Sequence, residues 1–122
     1  MSVALIVPAA GRGRRFGSRT PKTYVIIDGK PLLVHTLKRL LSAYPFDPVI
    51  VPVETGRIGR VQALLKRWGL GRVNVVAGGA SRAESVRNGL VAISGRPATG
   101  WVAVHDAARP LVDAGAVRRC IR

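Results

Sequence analysis

The chain has 122 residues, 48% of them apolar and 21% charged, which is enough for one domain with a modest core and too little for two. Twenty Lys and Arg against six Asp and Glu give a net charge of +14, so an anionic partner, or an acidic portion lying elsewhere, is implied. A single cysteine, Cys120, and two histidines, His35 and His105, exclude an intrachain disulfide and a Cys/His zinc site, and no apolar run is long enough to span a membrane. The first residues lack the charged start and long apolar run of a signal peptide, which makes the cytoplasm the expected compartment.

The apolar run Val3-Ala-Leu-Ile-Val7 predicts a buried strand, and it opens into Pro8-Ala9-Ala10-Gly11-Arg12-Gly13-Arg14-Arg15 and, further on, Pro21-Lys22. Glycines let backbone N–H groups approach an anion, and guanidinium groups fork onto phosphate oxygens, so the loop reads as a polyphosphate cradle. No Gly-Lys-Ser/Thr triplet of a Walker loop occurs. The dinucleotide pattern G-x-G-x-x-G fails by one place, because Phe16 stands where the third glycine belongs. An ordinary basic surface loop and an arginine-glycine segment binding RNA are the competing readings of this stretch.

Residues 23–27 are β-prone and Asp28-Gly29 predicts a tight turn. Pro31 fits a first helical turn, followed by Leu32, Leu33, Leu37, Leu40 and Leu41 at helical spacing with Lys38 and Arg39 facing away; His35 reads as a plain helix histidine. Pro45 and Pro48 end that helix before a second apolar strand, Val49–Val53. Residues 58–68 predict an amphipathic helix capped by Gly69, and residues 73–76 a third strand. That strand runs into Gly78-Gly79, with Ser81 as the N-cap of a helix over 81–93 that carries Ser85. Residues 101–105 predict a fourth, buried strand ending in Asp106-Ala107-Ala108-Arg109-Pro110, and a further helix begins at Asp113.

Strands alternating with helices imply an α/β fold, Rossmann-like, with a mostly parallel sheet and helices on both faces. The segments at Gly11, Gly78 and Asp106 all follow strands, so they should converge at the carboxyl edge of the sheet, where open α/β sheets bind ligands. Asp106 could hold a hard cation such as Mg²⁺, meet a ribose hydroxyl, or pair with Arg109.

Four motifs in order, PAAGxGxR from Pro8, PK at Pro21, GGxxRxxS from Gly78 and HDAARP from His105, resemble the 2-C-methyl-D-erythritol 4-phosphate cytidylyltransferases. These belong to the nucleotide-diphospho-sugar transferase superfamily. The resemblance spans the whole chain and is stronger than to the ribitol 5-phosphate cytidylyltransferases, which usually open with Leu-Ala-Gly-Gly and replace the alanines corresponding to Ala107 and Ala108. It implies transfer of CMP from CTP to methylerythritol phosphate with Mg²⁺ bound, in non-mevalonate isoprenoid synthesis. By resemblance, Arg15 and Lys22 stabilise the transition state, and Pro8, Ala9, Ala10, Gly11 and Gly13 wrap the nucleotide. Gly79 and Ser85 hold the cytosine, Ala107 touches the ribose, and Asp106 and Arg109 lie near the sugar phosphate.

Two departures qualify this. Thr23 stands where the family usually has glutamine, and family members are roughly twice as long. The expectation is therefore that residues 1–122 form the nucleotide-binding N-terminal part of one cytidylyltransferase domain, truncated, with CTP binding at most and little turnover, the full-length protein being a homodimer. The implied partners are CTP and a polyol phosphate, with no nucleic acid and no membrane. Another polyol phosphate such as ribitol 5-phosphate is the alternative acceptor, and a basic nucleic-acid-binding module is the reading from charge alone.

Overall fold

A computed structural model describes residues 2–10, 22–94 and 99–107. In chain order the elements are β1 (Ser2–Ile6), β2 (Ile26–Ile27), β3 (Lys30–Pro31), α1 (Leu32–Ala43), β4 (Val49–Val53), α2 (Ile58–Arg67), β5 (Asn74–Ala77), α3 (Arg82–Ser94) and β6 (Thr99–Val104). They divide into two units: Met1–Gly11 with Phe46–Asp106, and Arg12–Pro45 with Ala107–Arg122.

The first unit is built on a four-stranded sheet in the order β5-β4-β1-β6. All its pairings are parallel, with Leu5 opposite Val49 and Ala103, and Val51 opposite Val75. A parallel sheet asks its inner strands to be apolar on both faces, and the two inner strands comply. Residues 3–7 and all five residues of β4 are buried. Pairing outlasts the strand itself, because the Val7 and Ala9 N–H groups donate to the Ile50 and Pro52 carbonyls at 2.9 and 2.8 Å. Pro8-Ala9-Ala10 is thus drawn out along the carboxyl end of β4.

Helix α2 buries Val61 and Leu65 and packs against β5. It ends as Gly69 predicts: Gly69 sits at φ +77°, its N–H bonds to Lys66 O, and the Leu70 N–H reaches back to Leu65 O at 2.7 Å. Helix α3 lies against β4, β5 and β1, closing a small core of Ala4, Ile6, Ile50 and Ile93. Gly89 lets it come close, since a Cβ there would stand 3.0 Å from two carbons of Ile6.

The last strand departs from expectation. Residues 101–105 predict a buried strand, yet Trp101, Val102 and Val104 are 66%, 38% and 40% exposed. A strand is buried on a face only where another element covers that face, and β6 is the outermost strand, with β1 as its described partner.

In the second unit the Asp28-Gly29 turn joins β2 to β3 as an antiparallel hairpin. Both turn residues have positive φ, 52° and 78°, the geometry of a two-residue hairpin turn. Only Ile26 and Ile27 of the β-prone run are strand, since Lys22–Tyr24 forms a 3-10 turn. Pro31 ends β3 and stands just before α1. That helix buries Leu32, Leu33, Val34, Thr36, Leu37, Leu40 and Ala43 while Lys38 and Arg39 are exposed. His35 proves structural: its Nε2–H donates to Ile27 O at 2.5 Å, tying hairpin to helix. Among the described residues no helix is long and apolar enough to cross a membrane.

Candidate nucleotide site

The geometry centres on the turn after β5. Gly78 N–H donates to Val53 O at 2.6 Å, so the turn hangs from the end of β4. A Cβ on Gly78 would stand 2.3 Å from the Ala10 Cβ, 3.0 Å from Ser85 Oγ and 3.2 Å from Val53 O. The segment after β1 and the segment after β5 therefore touch here, through an alanine and a glycine small enough to allow it. Gly79 is equally confined, with Glu84 Cβ 2.2 Å from where its own Cβ would be.

Four hydrogen bonds fix the junction between this turn and α3. The Gly79 N–H donates to Ser85 Oγ at 3.0 Å, and the Ala80 N–H to Glu84 Oε2 at 3.0 Å. The Glu84 N–H donates to Ser81 Oγ at 3.1 Å, and the Ser85 N–H to Ser81 O at 3.0 Å. Ser81 is thus the N-cap, and Glu84, three residues on, reaches back as in a capping box, one residue beyond the usual donor. Ser85 is fully buried, and its hydroxyl shapes the glycine turn from beneath. It is brought beside Gly79, another residue of the motif, by the hydrogen bond from the Gly79 N–H.

At the other side of the sheet the His105 N–H continues the pairing of β6 by donating to Ile6 O, and the His105 Nδ1–H donates to Asp106 O at 2.9 Å. Asp106 Oδ1 then receives the Arg82 Nε–H at 3.0 Å. This ion pair joins the first turn of α3 to the segment after β6. Sequence reasoning missed this pair, while the pairing of Asp106 with Arg109 falls outside the described residues. Two segments twenty-four residues apart carry no periodic signal that they meet. Two of the three segments predicted to converge therefore do so, with Ala10 of the third against Gly78.

Ala9 is buried and Pro8 and Ala10 half-buried. Ala107 belongs to the second unit, where it is buried and its carbonyl accepts from Thr36 Oγ1 at 2.8 Å. Thr36 is fully buried, and its hydroxyl lies 3.1 Å from Leu32 O as well, so one hydrogen serves two carbonyls. Nothing in a leucine-rich helix pattern marks that threonine. Gly11, Gly13, Arg15 and Arg109 lie outside the described residues, and of Lys22 the structure describes only the backbone, at the start of the 3-10 turn. A cavity of about 420 Å³ lies elsewhere in the first unit, lined among others by Gln62, Lys66, Leu70 and Asn74, and holds none of the predicted site residues.

The sequence model of IspD, 2-C-methyl-D-erythritol 4-phosphate cytidylyltransferase, matches residues 3–122. The chain belongs to the IspD family. The IspD-family cytidylyltransferase of Acidobacterium capsulatum is 40% identical over 99% of this chain and 53% of its own length. The bifunctional IspDF from Campylobacter jejuni superposes with a TM-score of 0.82 at 30% identity, over 99% of this chain and 30% of that one. Rv0371C of Mycobacterium tuberculosis H37Rv, in complex with manganese, gives 0.75 at 25% identity, over 99% of this chain and 58% of that one. The chain spans about half the length of the curated IspD relatives it matches. Its parallel sheet and crossover helices have the α/β nucleotidyltransferase fold of the IspD structures.

Among the described residues no three His, Cys, Asp or Glu side chains gather as a metal cage. A hard cation such as Mg²⁺ takes most of its ligands from water and substrate phosphates and needs only one or two carboxylates. Asp106, 37% exposed at the carboxyl end of the sheet, is a carboxylate of the right kind and place.

Proposed function

We propose that the chain forms the nucleotide-binding part of a cytidylyltransferase that transfers CMP from CTP to 2-C-methyl-D-erythritol 4-phosphate and releases pyrophosphate. The observation that carries this reading is the Gly78-Gly79 turn, packed against Ala10 and locked from below by Ser85, at the carboxyl ends of β4 and β5 in a chain whose residues 3–122 match the family. A backbone held so firmly, and bearing no side chain at two successive positions, suits recognition of the flat edge of a pyrimidine.

In the reaction a phosphate oxygen of the acceptor forms a bond to the α-phosphorus of CTP while the bond from that phosphorus to the β-phosphate oxygen breaks. Such chemistry needs positioning and charge neutralisation more than covalent work by the protein. Arg15 and Lys22 are assigned to the transition-state charge, Pro8, Ala9, Ala10, Gly11 and Gly13 to the phosphates and nucleotide, Gly79 and Ser85 to the base and Ala107 to the ribose. Asp106 and Arg109 are assigned to the acceptor. Mg²⁺, when bound, would neutralise phosphate charge, and Asp106 is the described residue suited to hold it or its water. The setting inferred is cytoplasmic, with a homodimer for the full-length protein and neither nucleic acid nor membrane as partner.

Calorimetric titration of the chain with CTP and with ATP, each with Mg²⁺ at two salt concentrations, tests the reading. Selective CTP binding that persists at the higher salt supports it. Equal binding of both nucleotides that fades with salt would mean a generic polyanion surface and refute it.

A further inference from the structure

The ion pair between Arg82 and Asp106 is out of place as a stabilising device. Its side chains are 61% and 37% exposed, and an exposed pair contributes little to folding. Arg82 also stands in the first turn of α3, where the helix dipole disfavours a cation. Helix formation therefore gives no reason for an arginine at this position.

Its placement gives one. Arg82 follows a turn whose backbone is fixed by Ser85, Glu84 and Ser81, so its Cα is anchored to the nucleotide side of the sheet. Its Nε reaches across to the carboxylate that follows β6. Since β5 and β6 are the two outer strands of the sheet, nothing in the strand pairing itself ties these segments together. A carboxylate offers about four lone-pair sites, so one that accepts from Arg82 can accept from hydroxyl groups as well.

We propose that Arg82 is a positioning residue: it acts through Asp106, aiming that carboxylate at the hydroxyl groups of the polyol phosphate acceptor relative to the nucleotide turn. Arg82 thereby contributes to the choice of acceptor without touching the phosphate. This rests on the acceptor role given to Asp106 above.

The test measures binding of 2-C-methyl-D-erythritol 4-phosphate and of inorganic phosphate to the full-length protein that carries this chain, in the presence of CTP and Mg²⁺. Arg82→Ala should weaken the polyol phosphate about tenfold, as loss of a charge-assisted contact does, while leaving inorganic phosphate and CTP unchanged. Asp106→Asn should weaken it similarly, the double variant no more than Asp106→Asn alone, and Arg82→Lys should recover part of the loss. Unchanged polyol phosphate binding in Arg82→Ala overturns the proposal, as does an equal loss for inorganic phosphate, which would make Arg82 a direct phosphate ligand. An unaltered full-length protein that binds CTP but no polyol phosphate would instead overturn the acceptor assignment of Asp106, and the proposal with it.

Discussion

Gly78→Ala is the sharpest perturbation the fold offers. The added methyl would lie 2.3 Å from the Ala10 Cβ, well inside any carbon–carbon contact, with Ser85 Oγ at 3.0 Å and Val53 O at 3.2 Å. None of these atoms ends a flexible side chain. Ala10 leads out of the central strand, Val53 O receives the Gly78 N–H, and Ser85 is fully buried. Relief must come from backbone movement, and overpacking of this kind costs about 1–3 kcal/mol. Displacing the turn also endangers the bond from the Gly79 N–H to Ser85, worth roughly 1 kcal/mol. For a domain of this size the sum is a fall of roughly 5–15 °C in Tm, measured by thermal unfolding. Ala10→Gly in the same chain should restore part of the loss, since it removes the worst contact and leaves the other two. A Gly78→Ala variant as stable as the unaltered chain would refute the packing argument, and a double variant no better than the single one would show that Ala10 is not the obstacle.

Ser85→Ala removes the acceptor of the Gly79 N–H without creating a large void. It should cost about 1–2 kcal/mol in urea unfolding and weaken CTP relative to ATP in calorimetry. Thr36→Val keeps the shape but withdraws the hydroxyl from the Ala107 and Leu32 carbonyls, and a loss of about 1 kcal/mol is expected in the same assay. Gly59→Ala goes the other way. Gly59 is an exposed position in α2 where a Cβ meets nothing within 4 Å, so stability should rise by about 0.5–1 kcal/mol.

Much of the fold is legible from local pattern because each inner strand is a short apolar run and each turn has its own chemistry. Asp28-Gly29 announces a hairpin and Gly69 a helix end, and both occur where their backbone angles demand. Ser81 announces the start of α3 in the same way, while the return of Glu84 to the Ala80 N–H is not anticipated from the sequence. What local pattern misses is contact between distant segments. Trp101, Val102 and Val104 read as buried because composition reports apolarity and not how many neighbours a strand has. The Arg82–Asp106 pair and the Thr36–Ala107 bond link residues 24 and 71 positions apart, and no local pattern marks contacts across such separations. In the glycine turn the motif marks Gly79 and Ser85 but not why they belong together, which is that the serine hydroxyl holds the glycine amide.

The strand order carries a cost in time. β1 precedes β4 and β6 in the chain, yet it lies between them in the sheet, and Leu5 pairs with Val49 on one side and Ala103 on the other. Ala103 is 103 − 5 = 98 residues further along, an interval that a ribosome covers in roughly 5–20 s. Until β6 follows, Val3-Ala-Leu-Ile-Val7 has at least one flank unmatched, a β-prone apolar segment of the kind that aggregates when it is left exposed. Slowing translation between β4 and β6 should therefore lower the soluble yield of this chain without altering the stability of the molecules that do fold.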